Sequence, residues 1–262
     1  MLEVIDRGAG SQSHPIPLLF VHGGWHGAWC WDEHFLDFFA DKGYRALAVS
    51  VRGHGHSPVS TRPHFCAVTD FVDDVASVAD GLPTRPVVIG HSLGGFIVQK
   101  YLESHQAPAG VLLASLPPRG IGGFLWRNAK RHPLQAVRAT LTTKTLRNYR
   151  TPALVREAFY SSATPESDVV RYGARLCEEY TGRVTLDTLI LNRPEPERVT
   201  SPVLVLGAEA DHCITPAEVD ATARAYRTIA ELFPWMGHNM MLEPDWPKVA
   251  GTIHNWLTAH GI

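Results

Sequence analysis

Three side chains in this sequence have the types and the order that hydrolysis through a covalent intermediate requires: a serine, then an aspartate, then a histidine. Ser92 lies within the stretch G-H-S-L-G, and Asp211 and His238 follow it, each just after its own short apolar run. A serine hydroxyl is a poor nucleophile until a base accepts its proton, and the base needs an acid that orients it. The pattern therefore predicts Ser92 as nucleophile, His238 as base and Asp211 as acid.

The residues around Ser92 predict a sharp turn between a strand and a helix. The apolar run 87–89 predicts a buried strand, and an apolar pattern of helical spacing begins after the turn. Gly90 and Gly94 leave room where the strand and the helix come closest, so the serine hydroxyl stands above the C-terminal edge of the sheet. The N–H of Leu93 then lies at a helix N-terminus, where unpaired donors favour an anion. We expect this N–H to be one donor of an oxyanion hole.

A second oxyanion donor is expected from the loop after the apolar run 18–21. Gly23 and Gly24 let the backbone approach a substrate closely there. Two N–H groups aimed at one oxygen are what the tetrahedral intermediate needs. We predict the N–H of Gly24 as this donor, with that of Trp25 as the alternative. Trp25 and Trp126 are also the aromatic side chains that we expect to contact the substrate.

The acid and the base have alternatives nearby in the sequence. Glu209 lies only two residues before Asp211 and could serve as the acid. His212 and His91 are further candidates for the base, but neither follows the last predicted strand. In this topology the acid and the histidine should each lie on a loop after a strand, in the order serine, acid, histidine. That order favours Asp211 and His238.

The elements that must position these residues are apolar runs that alternate with segments of helical periodicity. The predicted strands are Leu2–Ile5, Leu18–Val21, Tyr44–Val51, Val87–Ile89, Gly110–Ser115, Val203–Gly207 and Ile229–Phe233. The predicted helices are Trp31–Ala40, Val68–Leu82, one that follows Ser92, Pro216–Tyr226 and Trp246–His260. Strands that alternate with helices favour a mostly parallel sheet covered on both faces.

Residues 117–198 interrupt this alternation. The stretch contains several prolines and helix-like pieces, and strand character resumes only at Val203. We therefore predict a helical cap at 117–198, inserted into an α/β core formed by 1–116 and 199–262.

The predicted cap is basic, whereas the rest of the chain is acidic. It carries 14 basic and 8 acidic residues in a chain of net charge −2, so its own charge is +6 and that of the core is −8. Eight of the basic residues fall in a stretch without Asp or Glu: Arg119, Arg127, Lys130, Arg131, Arg138, Lys144, Arg147 and Arg150. Such a surface can attract an anionic substrate or carrier, or it can be a solvated face that pairs with the acidic core. Docking at a membrane interface is a third interpretation, which Pro133 weakens by dividing the basic stretch.

Composition argues against several other classes of function. The chain has 262 residues, 45% of them hydrophobic, which fits one globular domain with a substantial core. The net charge of −2 gives no reason to expect nucleic acid as a partner. Four scattered cysteines and 14 dispersed histidines show no metal-type spacing, so we expect no metal site. We also expect no organic cofactor, because the chemistry predicted for Ser92, His238 and Asp211 needs none. No apolar stretch has the length of a signal core or a transmembrane span, so we expect a soluble, reduced, cytoplasmic enzyme of open oligomeric state.

The combination of motifs resembles the α/β-hydrolase superfamily over nearly the whole chain. The matching pieces are H-G-G at 22–24, R-G-H-G-H-S at 52–57, G-H-S-L-G-G at 90–95, the stretch 207–211 with Pro216, and Gly237-His238. The segment 22–31 is similar to the H-G-x-x-H-G-A-W-x-W stretch of the plant methyl-esterase and hydroxynitrile-lyase branch, whereas the cap resembles neither group clearly. The resemblance implies the α/β-hydrolase fold, a mostly parallel twisted sheet with helices on both faces. Dehalogenases and epoxide hydrolases of the superfamily carry an aspartate at the elbow, so Ser92 argues against those two chemistries.

Acyl transfer is the reaction that the residues and the resemblance both favour. We expect a carboxylic-ester hydrolase that works through an acyl-enzyme and acts on a small apolar ester, with an anionic substrate left open. A thioesterase or a lactonase would use the same triad. Other interpretations are a hydroxynitrile-lyase-like enzyme, a cofactor-free peroxidase or oxygenase, and a non-enzymatic ligand receptor. The lyase would need a cation near the departing cyanide, and the sequence places no lysine in the site.

Overall fold

Seven strands form a single sheet in the part of the chain that the computed structural model describes, residues 1–59, 63–142, 145–179 and 181–262. In chain order they are β1 (Val4–Arg7), β2 (Leu18–Val21), β3 (Ala46–Val49), β4 (Val87–His91), β5 (Gly110–Leu113), β6 (Val203–Ala208) and β7 (Ala230–Phe233). Across the sheet the order is β1-β3-β2-β4-β5-β6-β7. Strand β1 is antiparallel to β3, and the other neighbours are parallel. The predicted mostly parallel sheet is therefore confirmed.

Alternate residues of the central strands pack into two separate layers. Leu18 and Phe20 of β2 belong to one hydrophobic cluster, and Leu19 and Val21 belong to the other. Successive side chains of a strand leave on opposite sides, so one strand contributes to both layers. Every residue of β4 and β5 is also buried. Burial on both faces explains why these strands are continuous apolar runs rather than alternating patterns.

Helices supply the two layers. In chain order those among the described residues are α1 (Trp29–Asp32), α2 (Phe35–Asp41), α3 (Val68–Asp80), α4 (Leu93–Ser104), α5 (Gly122–Arg131), α6 (Pro133–Thr142), α7 (Pro152–Phe159), α8 (Glu166–Gly173), α9 (Thr181–Leu186), α10 (Pro216–Ala225) and α11 (Trp246–Ala259). Helices α1, α2 and α11 pack on one face of the sheet, and α3, α4 and α10 pack on the other. The predicted coverage of both faces is confirmed.

The single helix predicted at 31–40 is wrong, because the structure has two helices there. Helix α1 ends at Asp32 and α2 begins at Phe35. Between them His34 has φ −147° and ψ −46°, outside the helical region. The break allows Trp31 and Phe35 to pack on Phe20, with ring centroids 5.0 and 6.3 Å from the Phe20 ring. Tertiary packing of the aromatic rings, rather than helical periodicity, determines the backbone here.

The segment predicted as a cap contains helices and no strand among its described residues. It includes α5 to α9, a π-helical turn at Asp187–Leu191, and 3-10 turns at Leu146–Tyr149 and Pro196–Arg198. Lys144, one of the eight basic residues between 119 and 150, lies outside the described residues. No helix in the described ranges is both long enough and apolar enough to cross a membrane.

The turn after β4 is packed so tightly that two glycines in it have no room for a side chain. A Cβ on Gly94 would lie 2.3 Å from the carbonyl oxygen of Val21 and 2.4 Å from that of His22. A Cβ on Gly90 would lie 2.3 Å from the carbonyl oxygen of Gly94. These contacts press the first turn of α4 against the end of β2, so the turn and the loop after β2 meet at one edge of the sheet.

Replacing Gly94 tests this close approach. Gly94→Ala should lower the free energy of unfolding by at least about 2 kcal/mol, because backbone atoms would have to move to admit the Cβ. Gly251→Ala is the matched control, since Gly251 lies within α11 and the space around its missing Cβ is open to 4 Å. Alanine there should stabilise the protein by about 0.5–1 kcal/mol. Urea denaturation measures both changes, and a Gly94→Ala variant as stable as the wild type would contradict the packing described.

Candidate active site

Ser92 lies at the turn between β4 and α4 in a conformation that few serines adopt. Its φ is 53° and its ψ is −116°. The backbone N–H of Ser92 donates to the carbonyl oxygen of Leu113, 3.1 Å away at the end of β5. A strained residue of this kind persists only where the surrounding structure holds it. The side chain is half-buried and lines a small, mostly apolar cavity.

His238 and Asp211 form a buried pair beside Ser92. The Nδ1–H of His238 donates to Oδ2 of Asp211 at 2.7 Å. The other carboxylate oxygen, Oδ1, accepts the backbone N–H groups of Cys213 at 2.6 Å and Ile214 at 3.0 Å. With Nδ1 protonated, Nε2 of a neutral His238 is left as the acceptor. The arrangement can therefore take a proton at Nε2 while the aspartate holds the ring.

Ser92 and His238 line the same cavity, although no hydrogen bond joins their side chains in the described part of the chain. Hydrogen bonds between catalytic groups are often long in unliganded enzymes and shorten only when a substrate is bound. The geometry is therefore compatible with proton transfer from the serine to the histidine once a substrate closes the gap.

The alternative candidates for the acid and the base are not part of the buried His238–Asp211 pair. Glu209 and His212 are both exposed at the surface. His91 is buried, and its Nε2–H donates to the backbone carbonyl oxygen of His238 at 3.0 Å. His91 thus supports the loop of His238 and does not contact Asp211.

The two predicted oxyanion donors face the cavity. Gly24 and Leu93 both line it, and neither N–H donates a hydrogen bond to another described residue. The alternative prediction, that the N–H of Trp25 is the second oxyanion donor, is wrong. This N–H already donates to Oε2 of Glu179 at 3.1 Å. Among the candidates considered, Gly24 and Leu93 therefore remain as the pair that could stabilise a developing negative charge.

Two buried histidines hold the carbonyl groups of the oxyanion loop, residues 22–26. The Nδ1–H of His22 donates to the carbonyl oxygen of Gly23 at 2.8 Å, and that of His26 donates to the carbonyl oxygen of Gly24 at 2.7 Å. The Nε2 of His22 accepts the N–H of Val51, so this ring is neutral. Burial lowers the pKa of His22 well below its usual range and that of His26 to about 4. The loop is thus fixed by neutral imidazoles, each with one donor and one acceptor.

The histidines that are dispersed in the sequence come together in the structure. The ring centroids of His22 and His54 are 4.9 Å apart, and those of His91 and His238 are 4.7 Å apart. His26 is 6.3 Å from His91. The topology of the sheet gathers these rings at one edge, which no spacing in the sequence indicates.

Several hydrogen bonds tie Trp25 to the predicted cap, and sequence reasoning missed them. The carbonyl oxygen of Trp25 accepts the N–H of Cys177 at 2.8 Å. Its indole N–H donates to Oγ1 of Thr145 at 2.9 Å, and its backbone N–H donates to Glu179. Trp25 has a left-handed φ of 64°, which is uncommon for a bulky residue. The contacts with 145 and 177–179 therefore hold the oxyanion loop in an unfavourable conformation.

Glu179 is a residue of the site that no motif in the sequence indicates. Its side chain is buried and lines the cavity, and its Oε2 also accepts a hydrogen bond from Nε2 of His54 at 3.1 Å. Burial alone would lower the pKa of His54, but the negative charge and the hydrogen bond of Glu179 raise it above the usual value. The two residues lie 125 positions apart, so only the fold shows that they are partners.

Glu243, a third buried carboxylate beside Asp211 and Glu179, holds the loop that carries His238. Oε1 of Glu243 accepts the N–H of Gly237 at 3.0 Å and the N–H of Ser161 at 2.5 Å. Oε2 accepts the hydroxyl groups of Ser161 at 2.7 Å and Thr164 at 3.0 Å. The residue before the histidine is therefore joined to the predicted cap through one side chain.

The expectation that Trp126 contacts the substrate is wrong. Trp126 is 65% exposed, and the cavity is lined instead by Phe124, two residues earlier on α5. Side chains two positions apart on a helix point to nearly opposite sides. When Phe124 faces the cavity, Trp126 must face the solvent, where Lys130 lies over its ring. The other predicted aromatic contact, Trp25, does line the cavity.

Asp211, Cys213 and His238 also offer three possible metal ligands within 4.8 Å of one another. The carboxylate of Asp211 already accepts three hydrogen bonds. Burial raises the pKa of the Cys213 thiol well above its usual value, so the thiol stays protonated and is a poor ligand. The donor set therefore fits an acid–base pair better than a metal centre.

The basic residues of the predicted cap do not line the cavity in the described part of the chain. Arg127 donates to both carboxylate oxygens of Glu218 and to the carbonyl oxygen of Cys213. Arg131 lies 3.6 Å from Glu157. These pairs support the interpretation of the basic stretch as a face that pairs with acidic groups, and they give no support to capture of an anionic substrate by Arg127.

The chain matches the family model described as the alpha/beta hydrolase family over residues 18–247. It is 37% identical to the non-heme chloroperoxidase of Burkholderia pyrrocinia over 108 residues, which cover 39% of this chain and only 38% of that protein. It is 25% identical to the monoacylglycerol lipase of Mycolicibacterium smegmatis over 244 residues, 87% of this chain and 83% of the lipase. A thermophilic esterase from Thermogutta terrifontis superposes with a TM-score of 0.78 at 19% identity, covering 100% of this chain and 94% of the esterase. This last likeness shows the fold alone.

The buried neutral histidines predict that acid destabilises the protein. His22, His26 and His91 have pKa values lowered by burial, so between pH 6.5 and 4 the unfolded chain binds protons that the folded chain does not. The free energy of unfolding should therefore fall as the pH falls through this window, by up to about 1.4 kcal/mol per pH unit for each such histidine. His54, with its raised pKa, acts in the opposite direction, and its stabilisation is lost at higher pH.

Urea denaturation at a series of pH values measures this slope. His26→Gln should make it shallower, whereas His56→Gln should leave it unchanged, because the His56 side chain is 92% exposed. The same slope in wild type and His26→Gln would contradict a neutral, buried His26.

Proposed function

Because the chain belongs to the alpha/beta hydrolase family, we propose that it is a carboxylic-ester hydrolase in which Ser92, His238 and Asp211 act as a catalytic triad. One observation carries this proposal more than any other. His238, which lines the same cavity as Ser92, donates a hydrogen bond to Asp211 at 2.7 Å. The similarity to a monoacylglycerol lipase supports the same reaction class.

In the proposed mechanism, Oγ of Ser92 attacks the ester carbonyl carbon while Nε2 of His238 takes its proton. The carbonyl oxygen becomes an oxyanion, which accepts hydrogen bonds from the N–H groups of Gly24 and Leu93. The tetrahedral intermediate collapses, the alcohol leaves with the proton from His238, and an acyl group stays on Ser92. Water then attacks the acyl carbon, His238 accepts its proton and returns it to Ser92, and the acid is released.

Asp211 has two roles in this scheme. It accepts the Nδ1–H of His238, so Nε2 is the nitrogen that faces Ser92, and its negative charge stabilises the imidazolium that forms. The N–H groups of Cys213 and Ile214 fix the carboxylate in this orientation. A rotated carboxylate would lose two backbone hydrogen bonds as well as the histidine.

We also propose that residues 117–198 act as a cap over a core formed by 1–116 and 199–262. Side chains of the cap form much of the cavity wall: Ile121, Phe124, Thr181, Val184, Thr185 and Thr188. The cavity is small and mostly apolar, which favours esters with a short apolar acyl group. A thioesterase or a lactonase would use the same triad, so thioesters and lactones that fit this cavity are alternative substrates in this proposal.

Perhydrolysis is a second candidate, which the similarity to the bifunctional esterase/perhydrolase of Acinetobacter calcoaceticus favours; the two chains are 36% identical over 108 residues, which cover 39% of this chain and 38% of that protein. Hydrogen peroxide in place of water would attack the acyl carbon on Ser92, so that the Ser92 ester bond breaks and a peracid is released. The residues of the site are the same, and the nucleophile of the second step decides between the two outcomes.

Removing the nucleophile tests the proposal directly. Ser92→Ala should lower the rate of p-nitrophenyl butyrate hydrolysis by at least about 10⁴-fold while the protein stays folded, because only one hydroxyl is lost. A fluorophosphonate should label wild type at Ser92 and should not label the variant. The second candidate is tested by adding hydrogen peroxide to the same reaction and measuring whether peracid is released. Hydrolysis that survives in Ser92→Ala would contradict the proposal.

The acid and base are tested against exposed neighbours as matched controls. His238→Ala and Asp211→Asn should each lower kcat by roughly 10³-fold or more, because the triad members act as a unit. His212→Ala and Glu209→Gln should leave kcat near the wild-type value, since both side chains are exposed. A Glu209→Gln variant that is more damaged than Asp211→Asn would assign the acid to Glu209 instead.

A further inference from the structure

Glu179 lines the cavity and carries an unused hydrogen-bond acceptor. Its Oε2 accepts the N–H of Trp25 and a ring N–H of His54, each at 3.1 Å. Its Oε1 is buried and has no hydrogen-bond partner among the described residues. A buried acceptor without a partner is unfavourable, and more so on a charged group. The side chain is only 5% exposed and the residue lines the cavity, so a bound molecule is the partner that the geometry calls for.

The charge of Glu179 is already balanced by His54. Both ring nitrogens of His54 face acceptors, since Nδ1 lies 3.2 Å from the carbonyl oxygen of Arg52 and Nε2 lies 3.1 Å from Glu179. A neutral imidazole has only one N–H, so two acceptors favour the imidazolium form. What Oε1 lacks is therefore a donor rather than a positive charge. A neutral hydroxyl group satisfies that need, whereas an ammonium group would bring a second cation close to His54.

The carboxylate group of Glu179 lies beside the oxyanion loop. Oε2 of Glu179 is 3.1 Å from the position that a Cβ on Gly24 would occupy, and Trp25 is the next residue along the chain. A hydroxyl that reaches Oε1 must therefore be carried close to the carbonyl group that Gly24 would hold. Thr188 also lines the cavity, but its hydroxyl group already donates to the backbone carbonyl oxygens of Val184 and Thr185. This hydroxyl is therefore not the donor that Oε1 of Glu179 lacks.

We propose that Glu179 is a specificity-determining residue, which selects esters that carry a neutral hydroxyl group near the carbonyl by accepting a hydrogen bond from that hydroxyl at Oε1. The proposal rests on the proposed function, because it assigns a substrate class to the same site. It disfavours anionic esters, since a carboxylate on the substrate would lie against the carboxylate of Glu179.

A matched set of esters tests the preference. Ethyl 3-hydroxybutanoate, ethyl butanoate and ethyl 3-aminobutanoate have the same chain length and differ at one position. The hydroxy ester should show a kcat/KM at least about tenfold above that of the other two, because hydrogen bonds to charged groups are stronger than neutral ones. An equal kcat/KM for the hydroxy and unsubstituted esters, or a higher value for the amino ester, would overturn the proposal.

Glu179→Gln keeps the shape of the side chain and removes the charge. If the amide oxygen continues to accept the N–H of Trp25, the amide N–H₂ group takes the place of Oε1 and faces the cavity as a donor. The ratio of kcat/KM for the hydroxy ester to that for ethyl butanoate should fall to about one or below. A general loss of activity through the oxyanion loop affects both esters and cancels in this ratio.

Glu178→Gln is the matched control for this measurement. Oε1 of Glu178 accepts the N–H groups of Thr145 at 2.6 Å and Leu146 at 2.9 Å, and the residue does not line the cavity. The ratio should stay at the wild-type value in this variant. A ratio that is unchanged in Glu179→Gln, or that falls equally in both variants, would overturn the proposal.

Binding to Ser92→Ala separates this inference from the proposed function. Calorimetry should give a Kd for ethyl 3-hydroxybutanoate at least about tenfold below that for ethyl butanoate, and the difference should vanish in Ser92→Ala/Glu179→Gln. If wild type hydrolyses neither ester while this difference is present, the proposed function fails and the assignment of Glu179 stands. If wild type hydrolyses both and the Kd values are equal, the assignment of Glu179 fails and the proposed function stands.

Discussion

A buried carboxylate is tolerated only where N–H and O–H groups replace its water, and that constraint shapes this site. Asp211 accepts two backbone N–H groups of its own loop as well as His238. Glu243 accepts the N–H of Gly237, the residue before the histidine. Glu179 accepts the N–H of Trp25 in the oxyanion loop. Each carboxylate thus holds one of the loops that the proposed reaction needs.

Two of these carboxylates join the proposed cap to the core. Glu243 lies in the core and bonds to Ser161 and Thr164, whereas Glu179 lies in the cap and bonds to Trp25 and His54. The cap residues therefore do more than cover the cavity. They are hydrogen-bonded to the oxyanion loop and to Glu243, which holds the loop of His238, so the proposed function would draw substrate selectivity and catalytic geometry from the same contacts.

Much of the fold and the candidate partners of Ser92 could be predicted because both follow from short-range patterns. Apolar runs at strand spacing predicted the sheet, and a strand followed by a glycine-rich turn predicted the position of Ser92. Trp126 was assigned wrongly because a helix can turn either face toward the cavity, and only packing decides which. Glu179 could not be found at all, because its partners Trp25 and His54 are more than 100 positions away.

Rapid acid quenching of the protein with p-nitrophenyl butyrate, followed by peptide mass spectrometry, tests the central claim most directly. The account predicts a butyryl group on the peptide that contains Ser92, formed at the rate of the p-nitrophenol burst and lost as turnover ends. Steady hydrolysis without an acyl group on Ser92, or with the acyl group on another residue, would contradict it.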